Sequence, residues 1–135
     1  MSTADPVPTV AVRGEALLTV DPEIAALGVT VRVRARDRET ALERCRARQH
    51  EVTAAVRDAG DAVETAETTR IAVHPGSGPD GRPGDPVASQ HTRLAVGRLD
   101  AVGDLVVALG RLDDVEVSGP SWDLRPDSPA YERAR

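Results

Sequence analysis

The chain has 135 residues, enough for one domain with a single core, and a formal net charge of −5 at pH 7. Its acid excess falls entirely after Gly60, and an acidic protein gains no counterion-release affinity, which argues against nucleic acid as a partner. Hydrophobic residues make up 40%, yet the aromatics are one Trp, one Tyr and no Phe, so the core must be built from many small Val, Leu, Ile and Ala contacts.

Residues 1–8 hold two prolines and little apolar material and read as a flexible arm. Two strands follow, Thr9–Val20 and Glu23–Arg36, with a turn at Asp21-Pro22 that predicts an antiparallel hairpin. Along the second, Leu27, Val29, Val31, Val33 and Ala35 alternate with Thr30, Arg32, Arg34 and Arg36. That period of two marks a half-buried strand. From Asp37 the period lengthens: Ala41, Leu42, Cys45, Val52, Ala55, Val56 and Ala59 recur at helical spacing, with Asp37 as N-cap and Gly60 just past the end.

A third strand is expected over 66–74. Residues 75–86 then carry four Pro and four Gly, a composition that predicts a mobile loop open to proteases. A fourth strand returns over 87–97. Asp100 is placed to cap a short helix to Gly110 that bears Val102, Leu105, Val106 and Leu109. The fifth strand covers 115–124, and Ser128-Pro129 starts a helix stub. The order is ββαββαβ. It predicts an α+β, two-layer sandwich with a mainly antiparallel sheet, both helices on one face, forming a single domain over 9–135.

Reaction centres are hard to find. His50, His74 and His91 are scattered, no HExxH or CxxC occurs, and no metal or cofactor is expected. Cys45 falls in the apolar series of the first helix, where a free thiol behaves as a small hydrophobe. One cysteine rules out an internal disulfide and fits a reducing compartment. The Gly-rich stretch lacks GK[ST] and is followed by a strand, so it is a poor phosphate cradle. The run Asp113, Asp114, Glu116 and Asp123 reads as a solvated turn rather than a calcium loop. The serines of VSGPSW form no nucleophile elbow. Arg32, Arg34 and Arg36 share one strand face without the aromatics that stack bases, so cross-strand pairing with Glu15 or other acids is expected.

The segments VAVRGEA (10–16) and DPEIAALGV (21–29), LDAVGDLVVAL (99–109) and VSGPSWDL (117–124), taken collinearly, resemble the SIMPL-domain family. The resemblance implies an α+β fold and a habit of oligomerising, with links to stress tolerance and no agreed catalytic residues. Many such proteins are bacterial and exported to the envelope. All 17 basic residues here are Arg, which is consistent with a high-GC bacterial genome. The opening MSTADPVPTV has no basic or apolar leader region, and no apolar run approaches bilayer length. A cytoplasmic protein without membrane insertion is expected. RPDSPAYERAR (125–135) is similar to the point where family members enter a long C-terminal helix, so the family's C-terminal extension is expected to be missing.

The resulting expectation is a non-enzymatic domain for assembly or partner binding, and a homo-oligomer. An apolar strip left near Trp122 and Leu124 would make these two residues the interface. The alternative is a small-ligand-binding or enzymatic domain using a cleft between the sheet and the loop at 75–86.

Overall fold

The alternating segment becomes the centre of the molecule. In the computed structural model, which describes residues 10–12, 18–20 and 23–124, Ile24–Arg34 is a strand of 11 residues. It is the third in the chain, β3, after the short strands β1 (Val10–Val12) and β2 (Leu18–Val20). Its odd positions are buried: Leu27 at 1%, Val29 and Val31 at 0%, Val33 at 3%. Arg32 and Arg34 on the even face are exposed. Packing, not intrinsic propensity, sets this strand's register, because a slip of one residue would put Thr30, Arg32 and Arg34 into the core.

Helix α1 spans Arg38–Asp58. The Thr40 backbone N–H donates to the Asp37 carboxylate at 2.7 Å and the Thr40 hydroxyl to its other oxygen at 3.0 Å, which makes Asp37 the N-cap. Gly60 follows the end with φ +57°, the left-handed value that favours glycine. Next come β4 (Val63–Thr68), β5 (Ala72–Ser77) and β6 (Pro83–Val96), then α2 (Val102–Gly110) and β7 (Val115–Asp123).

The main sheet is antiparallel in the order β4-β6-β3-β7, with β5 also pairing β6. Helix α1 packs against β3 and β6, α2 against β7, and the helices touch each other. Ala41, Cys45 and Val52 of α1 meet Leu105 and Leu109 of α2 in one apolar cluster with the odd face of β3.

The elements differ from the sequence reading in four places. Thr9–Val20 is not one strand paired with the next. β1 pairs β2 in the register Val10↔Val20, because β6 and β7 already occupy the two edges of β3. The expected third strand is two, since Thr69–Ile71 interrupts it. There Gln90 Nε2 donates to the Thr69 carbonyl at 2.8 Å and the His91 backbone N–H donates to Thr69 Oγ1 at 3.1 Å, so side chains replace ladder bonds.

The third correction concerns 75–86, which is no structureless loop. β5 and β6 form a hairpin through Pro79-Asp80-Gly81-Arg82, with Arg82 N–H donating to the Pro79 carbonyl at 3.1 Å. Asp80 (φ +56°) and Gly81 (φ +74°) make the left-handed pair that matches strand twist. Gly84 lets the arms approach, since a Cβ there would lie 2.8 Å from the Ser77 carbonyl oxygen. Asp100, expected to cap α2, instead lies in a 3₁₀ turn and gives the helix no side-chain cap. The N-terminal arm, the Asp21-Pro22 turn and the Ser128-Pro129 helix stub lie outside the described residues.

Candidate functional site

The face of the sheet away from the helices carries the even positions of β3, and on it lies a groove of about 780 Å³. The antiparallel registers align one row of residues straight across four strands: Glu67 on β4, Arg93 on β6, Gly28 on β3 and Ser118 on β7. Gly28 is the one position of that row without a side chain, and its neighbours fill the space above it. A Cβ built on it would lie 2.5 Å from Ser118 Oγ and 3.1 Å from His91 Cε1, so the serine and the imidazole converge on the space above the glycine.

His91 is held in place by two threonines. Its Nδ1 shares a hydrogen bond of 3.0 Å with Thr30 Oγ1, its register partner, and its backbone N–H donates to Thr69 Oγ1 at 3.1 Å. With Nδ1 engaged, Nε2 is the ring atom available to a ligand, 3.7 Å from the point where a Gly28 Cβ would sit. Ser118 Oγ donates to the Gly28 carbonyl at 3.4 Å, a long bond that leaves the hydroxyl open to a better partner. Beyond Gly28, Ala26 pairs with Ala95 and Ser121, and the groove runs on past Thr65 and Asp123 to Ile24 and Leu124. Nothing here resembles a nucleophile with an activating base: Ser118 and His91 share no hydrogen bond among the described residues.

The other residues singled out in the sequence are dispersed. His50 is exposed on α1, and His74 is exposed on β5 opposite Val87, away from His91. Among the described residues no three His, Cys, Asp or Glu side chains gather as a metal site. Cys45 is a buried free thiol. Arg32 pairs with Glu116 at 3.9 Å, the cross-strand partnership expected of an exposed strand face, and Arg34 reaches over Gly76; Glu15 lies outside the described residues. The hollow beside the 75–86 hairpin is about 220 Å³.

The acidic turn is not merely solvated. Arg48 of α1 binds Glu51 at 3.1 Å, Asp114 at 3.5 Å and Asp113 at 3.8 Å, tying the helix to the turn before β7. Sequence reading missed this clasp because its partners lie more than sixty positions apart. It also missed the close approach over Gly28, because Gly28 looks like any strand glycine until Ser118 and His91 are brought beside it. Trp122 and Leu124 part company: Trp122 packs, half-buried, against the core opposite Ala25, whereas Leu124 is 2% exposed and borders the groove.

The architecture is that of an α+β domain with a mostly antiparallel five-stranded sheet and two helices, and no described helix is long and apolar enough to cross a membrane. The chain belongs to the SIMPL family, described as a protein of unknown function (DUF541), whose model matches residues 10–135. No curated protein matches it. Among solved structures it is similar to an unknown protein from Galdieria sulphuraria, at 16% identity and a TM-score of 0.42. That similarity covers 76% of this chain, which spans 55% of the other.

Proposed function

We propose that this chain is a non-enzymatic assembly domain that forms a homo-oligomer, most simply a two-fold dimer, through the outer surface of α2 and the adjoining edge strand β7. The observation that carries the reading is Val107. It is 50% exposed, the one large hydrophobic side chain so exposed among the described residues. Gly103 and Gly110 stand four positions before it and three after it, hence on the same helix face. Beyond the helix's own backbone and its chain neighbours, neither glycine has an atom within 4 Å of where a Cβ would sit. A bulky apolar knob between two flat positions suits close approach by a second copy of the same helix.

Trp122 belongs to the same side of the molecule, since it sits on the core face of β7, against which α2 packs. It is the aromatic in or beside the contact, while the buried Leu124 supports the strand end. In this reading sheet and helices form two layers, and the protein works in the cytoplasm, where an assembly of this kind serves stress tolerance.

Size-exclusion chromatography with light scattering tests the proposal. Wild type should elute as a discrete oligomer, and Val107→Glu should elute as a monomer with its melting temperature little changed, because a surface substitution disturbs no core contact. A wild-type monomer at high concentration would refute the assembly reading.

A further inference from the structure

Where β3 gives way to α1, a hollow of about 490 Å³ is lined by Arg34, Arg36 and Arg44, together with Asp37, Thr40 and Asp85. No residue of α2 or β7 lines it, so it stands apart from the assembly surface. Other arginines of the chain find acids: Arg32 holds Glu116, Arg48 holds Glu51, Asp113 and Asp114, and Arg98 holds Asp100. Arg34, Arg36 and Arg44 have no ion pair among the described residues, although two acids share their hollow.

Those acids do not quench them. Asp37 spends both carboxylate oxygens on Thr40 as the cap of α1, so the helix end is already closed and the chemistry of the hollow is that of the guanidiniums. Asp85 is exposed and forms no ion pair among the described residues. Arg34 is laid across the hairpin: its Nη1 and Nη2 are both 3.1 Å from where a Gly76 Cβ would sit. Three guanidiniums against two carboxylates make the hollow positive on a chain of net charge −5. The field of the whole protein repels anions, so retention must come from short contacts. Guanidinium forks pair with phosphate oxygens bidentately, and three forks offer more donors than one carboxylate can accept. No aromatic side chain lines the hollow, so a nucleobase would find nothing to stack on.

We propose that this hollow binds a small phosphate-bearing anion, with a diphosphate preferred over a single phosphate. Arg34 ends β3, Arg36 sits in the bend after it, and Arg44 is on the second turn of α1. The three forks therefore come from three different stretches of backbone, and two linked phosphates reach more of them than one tetrahedral anion does. Asp85 sets the opposing term, a carboxylate that the bound anion must tolerate.

Inorganic pyrophosphate is the probe, titrated at low ionic strength into the isotope-labelled full chain and read by amide chemical shifts. Arg36, Thr40 and Arg44 should shift together along one saturable curve. Arg36→Gln and Arg44→Gln should each weaken binding about tenfold, and Arg34→Gln severalfold. Asp85→Asn, which removes a repulsion, should tighten it severalfold. Arg57→Gln removes an equal charge from the far end of α1 and should leave the affinity unchanged. All five side chains are exposed, so the variants should keep the fold, which circular dichroism checks. Orthophosphate should bind more weakly than pyrophosphate, and acetate more weakly still. No saturable shift at these residues, undiminished binding by Arg36→Gln and Arg44→Gln, an equal loss with Arg57→Gln, or orthophosphate or acetate matching pyrophosphate would overturn the proposal.

Discussion

Cys45 lies at 0% exposure beneath the sheet, and burial pushes its thiol pKa up, against a smaller opposing pull from the Arg46 charge. The thiolate is the reactive form, so the folded chain should react with a thiol reagent such as DTNB only as fast as it opens. Cys45→Ala should be tolerated better than Cys45→Ser, because a buried hydroxyl without a partner costs about 1–3 kcal/mol. Thermal melts of the two variants check the order. Asp37 shows the opposite shift. The backbone N–H of Thr40, then its hydroxyl, hold the Asp37 carboxyl below its ordinary pKa. A depressed carboxylate stabilises the fold above its unfolded pKa and loses that contribution as the pH falls through the folded value. Asp37→Ala should therefore be less stable than wild type at neutral pH. The gap should close as the pH drops below about 4, which a pair of urea titrations at pH 7 and pH 2.5 would reveal.

At the scale of the elements, the β5–β6 hairpin separates composition from conformation. Proline and glycine counts over 75–86 describe residues that dislike regular structure on average, and they conceal that Asp80-Gly81 is a strong hairpin signal. Gly81→Ala should cost about 1 kcal/mol, since a Cβ is strained at φ +74°. Limited proteolysis should cut this hairpin slowly in wild type and faster in the variant. Where periodicity was strong, the sequence was a sound guide: β3, α1, Asp37 and Gly60 stand where alternation and capping put them. Pairing was less legible, because no local signal says that β3 prefers β6 and β7 to the strand just before it. The same limit hid the candidate groove. His91 and Ser118 are ordinary strand residues in sequence, and only the register of three strands gathers them around Gly28. Leu109 of α2, at 0% exposure, tests the helix–sheet contact. Leu109→Ala should destabilise by about 2–5 kcal/mol, whereas a loss under 1 kcal/mol would mean that α2 does not close the core.

For the whole molecule, the sheet acts as a partition. One side is given to the apolar cluster and the helices, whose outermost feature is Val107; the other carries Arg93, Gly28 and Ser118 in a row open to solvent. Substitutions that share no partner act additively. Val107→Glu should therefore abolish the oligomer, whereas Arg93→Gln, on the face away from the helices, should leave the elution volume unchanged. The double variant should elute as Val107→Glu alone does. Light scattering on the four proteins completes the cycle, and a smaller oligomer with Arg93→Gln would mean that a neighbouring copy also reaches past β7 onto the open sheet face.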